Sequence, residues 1–356
     1  MRAVARLAVS SRRVCAPAAG WYRGFAAAAA GKVPVAKIKE LREVSGAPMM
    51  DCKRALEDPE VGGDLEKAFD WLRKKGAVTA TKKSGRRAAE GLVAVRLSED
   101  NERAVLVELN SETDFVARND DFQDALAAFA DAALAGEVTE PVNGPPTGTA
   151  DTLNALLDAS VSVGGAGAVP VRDAVVDLVG KIRENLVLRR STAIAAPAGG
   201  VVVPYVHNKA RPDMGTIGVA VALSATPAPA AGSAGYLALT EVGKTVALQV
   251  AAAQPLALDR DGVDASELER ERTVLADQAR ASGKPEDIIE RMVSGRMGKF
   301  YAENCLLEQK CMTVEGDKTV KQVVADAKAA VGGDVTVHGF RLLVVGEGVE
   351  EGEEEE

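Results

Sequence analysis

The chain has 356 residues, and 47% of them are hydrophobic, which is enough for two or three domains with a sizeable buried core. Its 43 basic and 52 acidic residues give a net charge of −9, which argues against a general nucleic-acid coat protein, and no run of about 18 apolar residues predicts a membrane span. Four cysteines without a CxxC pair and only two histidines exclude a disulfide framework, argue against a zinc site and indicate free thiols in a reducing compartment.

The N-terminal segment has the composition of a targeting sequence. Residues 1–39 contain no Asp or Glu, and five arginines are spread there among Ala, Val and Ser. An Arg-rich, acid-free composition predicts an organelle transit peptide over residues 1–31. We expect the mitochondrial matrix as the destination because Arg outweighs Ser and Thr. The chloroplast is the alternative organelle, and a disordered basic arm is the alternative structure.

Residues 34–77 predict a small domain of three short helices. The first helix ends at Ser45-Gly46, and the second runs from about Pro48 to Leu56. The third runs from Asp64 to Lys75, with Gly76 as the residue that follows its C-cap. A unit of this size is near the lower limit for independent folding.

A basic segment follows, in which seven of the fifteen residues 73–87 are Lys or Arg. It contains no aromatic residue on which a base could stack, so a solvated linker over residues 78–90 is the favoured prediction. A nucleic-acid patch is the alternative.

The rest of the chain mixes Val-rich runs, which predict strands, with amphipathic stretches, which predict helices. The predicted strands are 91–97, 104–109, 193–194, 201–206, 216–224 and 335–345. The predicted helices are 120–134, 151–159, 171–188, 236–253, 266–281, 285–293, 298–309 and 318–331. Clustered rather than alternating elements indicate an α+β fold with antiparallel sheets. Two similar blocks indicate core subdomains at 91–190 and 191–345, and the Glu-rich residues 346–356 predict a disordered, solvated tail.

Searches for catalytic and cofactor motifs give nothing. Gly243-Lys244-Thr245 is similar to the end of a phosphate loop, but Ala238 stands where that loop requires Gly, so the segment is interpreted as ordinary helix. His207 and His338 lie beside predicted strands and are interpreted by default as partly buried structural histidines. We therefore predict no catalytic residue, no cofactor and no metal site.

Several long runs, in order along the chain, resemble the elongation factor Ts family. They are KELREVSGAPMMDCKRAL at 39–56, LRKKG at 72–76, ELNSETDFVARN at 108–119, KIREN at 181–185, QVAAAQP at 249–255 and KFYAENCLLEQ at 299–309. With the predicted transit peptide, the resemblance is to the mitochondrial type. It implies a guanine-nucleotide exchange factor without covalent catalysis, which binds elongation factor Tu·GDP of the same organelle and disturbs the Mg²⁺ and phosphate site so that GDP leaves.

The resemblance also implies where the GTPase is bound. The N-terminal domain would be ubiquitin-associated-like and would contact the partner through Met49, Met50 and Lys53. Flexible thioethers suit an adaptable interface. The alternative for the methionines is that one of the pair packs in the small core, since adjacent helical side chains point in different directions.

A second contact implied by the resemblance is a wedge formed by Asp114 and Phe115, flanked by Thr113 and Val116. From spacing alone, residues 111–114 fit a capping box, with Phe115 tucked beneath the helical turn, and that interpretation is the commoner one. The resemblance favours the wedge, because family members use this Asp-Phe pair near the Mg²⁺ of the GTPase.

Two weaker contacts in the core are implied at Ile182 and His207. Arg183 stands where the family usually has Gly, which puts a close backbone approach there in doubt. The alternative function is an RNA- or ribosome-associated module that uses residues 73–87, although the acidic net charge argues against it. No membrane and no specific nucleic acid is expected as a partner.

Overall fold

The computed structural model describes residues 33–136, 140–142, 147, 149–163, 167–281 and 285–349. The predicted transit peptide and the last seven residues of the predicted acidic tail lie outside the described residues. The described part of the chain begins with three helices, α1 (Val35–Ser45), α2 (Met49–Glu57) and α3 (Leu65–Lys83). They pack around a small core that includes Leu41, Cys52 and Leu56, all of which are buried.

The remaining elements mix strands and helices, as predicted. In chain order they are β1 (Glu90–Leu97), β2 (Arg103–Ser111), α4 (Asp114–Ala117), α5 (Asp120–Ala135), α6 (Ala150–Asp158), β3 (Ser160–Val161), β4 (Val169–Pro170), α7 (Val171–Ile182), β5 (Val187–Ala195), β6 (Gly200–His207), β7 (Met214–Gly215), β8 (Ile217–Thr226), α8 (Ala234–Ala253), α9 (Ala265–Arg280), α10 (Glu286–Asn304), α11 (Val320–Asp326), α12 (Lys328–Val331) and β9 (Asp334–Val344). A 3₁₀ turn, Arg260–Gly262, precedes α9.

Two antiparallel sheets pack face to face between two helical layers. One has the strand order β5-β2-β1-β7 and the other β6-β8-β9. On β1, Leu92 and Ala94 pack against α5 and α7, whereas Val93 and Val95 share a buried cluster with Ala220 of β8. The far side of the second sheet packs against α8, α11 and α12. The antiparallel α+β architecture predicted from the sequence is confirmed.

The two core blocks are joined more closely than the sequence indicates. The predicted boundary between residues 190 and 191 falls inside β5, which pairs with β2, and β7 from the second block pairs with β1. The first sheet therefore takes strands from both sides of that boundary. The predicted helix 171–188 is too long, because α7 ends at Ile182 and Leu188 already lies in β5.

Glycine misled the prediction at two other helices. Residues 285–309 were expected to form two helices, but α10 continues through Gly295 and Gly298 to Asn304 and packs along α9. Gly76 was expected to end α3, but α3 continues to Lys83, through the first six of the thirteen residues of the predicted linker 78–90. A single glycine costs a helix only about 1 kcal/mol, which tertiary packing readily offsets.

Gly76 allows α3 to dock on the core. A Cβ atom on Gly180 of α7 would stand 3.1 Å from the Cα of Gly76, so the two helix backbones cross at these glycines. The basic residues 73–83 therefore lie on α3, a helix that packs against α7 and is not a solvated linker. This crossing fixes the N-terminal helices against the core.

We expect Gly180→Leu to destabilise the protein by about 1–3 kcal/mol, because the larger side chain must push α3 away from α7. Gly295→Leu is the matched control, since no atom lies within 4 Å of the Cβ position there. That control should be neutral or stabilising by up to about 1 kcal/mol through helix propensity. Urea unfolding measures both variants, and equal effects would contradict the close crossing.

A buried ion pair joins the two sheets. Arg341 of β9 and Glu140 are almost fully buried, with Arg341 Nε 3.4 Å from Glu140 Oε2. Thr192 of β5 donates to the same carboxylate at 2.6 Å, and Arg341 Nη2 donates to the carbonyl of Pro141 at 2.6 Å. Burial alone would raise the pKa of Glu140, but hydrogen bonds from Thr152, Thr192 and Thr149 outweigh burial and hold that pKa below its ordinary value.

The start of the predicted tail is folded. Gly346 donates its backbone N–H to the buried carboxylate of Glu108 at 2.9 Å, and Glu347 pairs with Arg190 at 3.0 Å. The prediction of a disordered tail from residue 346 is therefore wrong for Gly346 and Glu347, because their contacts to Glu108 and Arg190 hold them, while Glu347 and Gly348 are exposed to solvent as predicted.

Candidate partner-binding site

The turn between β2 and α5 carries the predicted wedge. β2 ends at Ser111, and Thr113 is the N-cap of the one-turn helix α4. The hydroxyl of Ser111 donates to the carbonyl of Thr113 at 2.9 Å, so it does not cap the helix. The capping-box interpretation of residues 111–114 is wrong, because Ser111 is buried inside the end of the sheet.

Phe115 projects from this turn. Its side chain is 77% exposed, while Val116 packs against the core and Ala117 is buried. Gln123 donates to the carbonyl of Ala117 at 2.9 Å and holds the end of α4. The alternative drawn from spacing alone, that Phe115 is tucked under the turn, is wrong, since residues 116 and 117 take the inward direction. An aromatic side chain this exposed on an anchored turn is a typical contact residue.

Asp114 lies beside Phe115 on the surface. Its carboxylate is 2.9 Å from Arg118 Nη2, in a pair whose side chains are 50% and 75% exposed. Exposed pairs of this kind contribute between about 0 and 1 kcal/mol. The carboxylate therefore remains able to contact a partner.

The backbone before Phe115 is held from across the fold. Thr113 donates its backbone N–H to Glu184 Oε2 at 3.0 Å and its hydroxyl to Glu184 Oε1 at 2.7 Å. In return, Asn185 donates its backbone N–H to Glu112 Oε1 at 2.6 Å. Sequence reasoning named Thr113 only as a flank of the wedge and missed Glu112, Glu184 and Asn185, although these three lie in the runs ELNSETDFVARN and KIREN that resemble the family. We call the set Glu112, Thr113, Glu184 and Asn185 the crossed clamp.

The second predicted contact surface lies at the start of α2. Met49 and Met50 are 43% and 56% exposed, and Lys53 is exposed beside Glu57 at 3.7 Å. The alternative that one methionine packs in the small core is wrong. Both lie in the first turn of the helix, while the buried face of α2 is formed further along, by residues that include Ala55.

Asp51 of α2 is unexpectedly buried and joins three helices. It accepts hydrogen bonds from Lys75 of α3 at 2.6 Å and from the side chain of Arg183, the C-cap residue of α7. Burial alone would raise the pKa of Asp51, but the hydrogen bonds from Lys75 and Arg183 outweigh it and hold that pKa below its ordinary value. Asp51 therefore anchors α2, and with it the exposed Met49 and Met50, to the core.

Arg183 takes the backbone conformation that usually requires glycine. Its φ is +68°, in the left-handed region, at the C-cap of α7. An L-residue there costs roughly 1–2 kcal/mol, which the contacts of Arg183 to Asp51 and Lys83 help to offset. Ile182, the residue before it, is half-buried against the core cluster under α7.

The two histidines differ. His207 is exposed at the end of β6, with Nδ1 3.1 Å from the hydroxyl of Tyr205, so its default interpretation as partly buried is wrong. His338 is half-buried with Nε2 2.7 Å from the hydroxyl of Ser224, and burial lowers its pKa. His207 lies on the second sheet and belongs to neither of the other two predicted contacts. Those two are linked to each other, because Arg183 contacts Asp51 of α2 and the adjacent Glu184 belongs to the crossed clamp.

The basic segment is largely occupied by the protein itself. Arg73 lies 3.6 Å from Asp177, and Arg86 lies 3.4 Å from Glu112. Lys75 contacts Asp51, and Lys83 donates to the carbonyl of Arg183. Four of its seven basic side chains thus contact groups of this chain. This use of the cations disfavours a nucleic-acid platform.

The other sequence features behave as ordinary structure. Gly243-Lys244-Thr245 lies within α8, and a Cβ on Gly243 would stand 2.5 Å from a methyl of Val203, so this glycine permits close packing on the sheet. Cys52, Cys305 and Cys311 are free and buried, and burial raises the pKa of Cys305 to about 11. Within the described ranges, no cluster of three potential metal ligands and no helix fit to cross a membrane is found.

Comparison with known proteins places these features in one family. The family model described as "Elongation factor TS" matches residues 112–347. Elongation factor Ts of Rhizobium leguminosarum bv. trifolii (strain WSM2304) is 45% identical over 322 residues, which cover 90% of this chain and 95% of that relative. The proteins of the same name from Bartonella tribocorum (strain CIP 105476 / IBS 506) and Agrobacterium fabrum (strain C58 / ATCC 33970) are 45% identical over 321 and 322 residues, with the same coverage.

Proposed function

The chain belongs to the elongation factor Ts family, and we propose on that basis that it is the guanine-nucleotide exchange factor of elongation factor Tu in translation elongation. It acts without covalent chemistry. The observation that carries the mechanism is Phe115, 77% exposed on an anchored turn within a run that resembles the family.

In this mechanism Asp114 and Phe115 act as a wedge at the Mg²⁺ and phosphate site of the GTPase. A turn that is already fixed before binding loses little conformational entropy on insertion, so more of the binding energy can distort the nucleotide site. If the factor weakens GDP binding, GDP must weaken binding of the factor by the same ratio. The factor therefore needs no nucleotide site of its own.

The N-terminal helices provide a second attachment to the GTPase. We assign them as a ubiquitin-associated-like domain that binds through Met49, Met50 and Lys53. Ile182 and His207 are weaker candidates, because Ile182 already packs partly in the core and His207 lies on the other sheet. The support for the methionines is their exposure and their link to the core through Asp51.

We expect the double variant Met49→Ala/Met50→Ala to weaken binding to elongation factor Tu about 10- to 100-fold, since central apolar contacts typically contribute 1–3 kcal/mol. Its melting temperature should not change, because both side chains are exposed. Leu237→Ala, 59% exposed on α8, is the control for loss of an exposed apolar side chain. Calorimetric titration decides the matter: equal affinities for the double variant and the control would remove α2 from the interface.

We propose the mitochondrial matrix as the location, with the chloroplast as the alternative, and the GTPase of that organelle as the partner. The support is the acid-free, Arg-rich composition of residues 1–39. The relatives named above are bacterial and carry no information on the organelle. A fusion of residues 1–40 to a fluorescent protein should enter mitochondria, and retention in the cytosol would contradict this.

The exchange function is tested by stopped-flow release of a fluorescent GDP analogue from elongation factor Tu. Addition of the chain should accelerate release by orders of magnitude, and no acceleration would contradict the proposed function. Retention of RNA with a steep salt dependence would instead support the RNA-binding alternative at residues 73–87.

A further inference from the structure

The crossed clamp joins the exchange turn to a connection far away in sequence. Glu184 follows Arg183, the C-cap residue of α7, and lies 71 residues after Thr113, yet both of its carboxylate oxygens accept hydrogen bonds from Thr113. One bond comes from the backbone and one from the side chain, so position and rotation of the residue are both fixed. Phe115 is two residues further along.

Glu184 is itself held on both sides. The left-handed backbone of Arg183 turns the chain at the end of α7, and the side chain of Arg183 is bonded to the buried Asp51. On the other side, the backbone N–H of Asn185 donates to Glu112 Oε1 at 2.6 Å, and the side-chain amide of Asn185 donates to the carbonyl of Arg86 at 2.6 Å. The clamp is therefore rigid where it meets Thr113.

The hydroxyl of Ser111 holds the carbonyl of Thr113 at 2.9 Å, whereas the backbone N–H and the hydroxyl of Thr113 both donate to Glu184. Thr113 is the N-cap of α4, but its side chain caps no backbone N–H of that helix. A one-turn helix is too short to be stable through its own hydrogen bonds. The direction in which Phe115 projects therefore depends on both of its flanks, with Thr113 held by Glu184 on one side and Val116 and Ala117 packed in the core on the other.

We propose that Glu184 is the positioning residue of the exchange turn: it holds Thr113 so that Phe115 projects in the orientation that expels GDP. This inference rests on the proposed function. Glu184 acts through the turn, so its loss lowers the maximal rate of GDP release more than it lowers affinity, since misplacement of an acting group by about 1 Å can cost on the order of 100-fold in rate. Binding through the surface of α2 continues.

The test compares variants that remove the hydrogen bonds between Thr113 and Glu184 with variants that keep them. Glu184→Ala should lower the maximal rate of GDP release roughly 10- to 100-fold, with the half-saturating concentration changed less than about 3-fold. Glu184→Gln keeps an acceptor for the Thr113 N–H and should restore most of the rate. Thr113→Val removes the hydroxyl donor and should lower the rate, whereas Thr113→Ser should behave as the unmodified chain.

A double variant shows whether Glu184 acts through Phe115. When Phe115 is already alanine, Glu184→Ala should lower the rate less than about 2-fold further, because two residues of one unit are not additive. Fully multiplied effects would overturn the proposal. An unchanged maximal rate for Glu184→Ala alone would overturn it as well.

A readout without the partner keeps the inference separate from the proposed function. In the free protein, Glu184→Ala should accelerate amide hydrogen exchange at residues 113–118 at least about 10-fold, and Glu184→Gln should not. If the unmodified chain fails to accelerate GDP release from elongation factor Tu, the proposed function is wrong. The hydrogen-exchange measurement still tests the crossed clamp in that case, because it does not involve the GTPase. Unchanged hydrogen exchange in Glu184→Ala would overturn the clamp whatever the GDP assay shows.

Discussion

Phe115→Ala should slow GDP release from elongation factor Tu by roughly 30- to 1,000-fold, the loss typical of a hot-spot aromatic worth about 2–4 kcal/mol. The melting temperature should stay nearly the same, because the side chain is 77% exposed and leaves no cavity. Stopped-flow release of a fluorescent GDP analogue and thermal unfolding measure the two effects on the same preparation.

Phe122→Ala is the matched control, because Phe122 is fully buried one helix further along. It should cost about 3–5 kcal/mol of stability. The fraction of this variant that remains folded should still accelerate GDP release from elongation factor Tu. A steep fall in melting temperature for Phe115→Ala, with normal exchange by the folded protein, would show that the wedge assignment is wrong.

Arg341→Met should destabilise the protein by about 3–5 kcal/mol, because it leaves the buried carboxylate of Glu140 without its cation. The pair joins the two sheets, so the whole core should unfold at lower urea. Lys318→Met is the matched control: the pair of Lys318 with Asp326 is 2.7 Å long but about half exposed, and its loss should cost less than about 1 kcal/mol. Equal losses for the two variants would contradict the structural role of the buried pair.

The same carboxylate gives the stability a defined pH dependence. The pKa of Glu140 is held below its ordinary value, so its contribution is fully present above the unfolded value of about 4.3. That contribution is lost as the pH falls through the lower, folded-state pKa. In Arg341→Met the carboxylate loses its cation, so the fall in stability should begin at higher pH.

The sequence predicted best what is encoded locally. The helix predicted at 120–134 is observed as Asp120–Ala135, with the side chain of Asn119 accepting from Asp121 N at 2.8 Å, as expected for an N-cap. Phe122, Leu126 and Phe129 form its buried stripe. In such a helix, cap, periodicity and packing all favour the same structure.

Predictions failed where a distant contact overrides a local signal. Gly76 is typical of a helix end, but the distant Gly180 makes it a crossing point within α3. Ser111 has the spacing of a cap, but the end of the sheet buries it. Glu184 and Thr113 are far apart in sequence, so no local pattern could indicate that their side chains meet.

At the candidate site, too, residues with a local signal were predicted and residues that depend on distant contacts were not. Met49, Met50 and Phe115 lie within runs that resemble the family, and their exposure agrees with the contacts that the resemblance implies. The residues that support them, Asp51 and Glu184, had no predicted role. Their function depends on hydrogen bonds between separate elements, which spacing along one helix cannot reveal.

The account is tested most directly by the affinity of this chain for elongation factor Tu with and without saturating GDP. Negative coupling predicts that GDP weakens binding of the chain by the same factor by which the chain weakens GDP. Phe115→Ala should reduce that factor strongly, since the wedge transmits the coupling. Equal affinity of the unmodified chain for the GDP-bound and nucleotide-free GTPase would contradict the account.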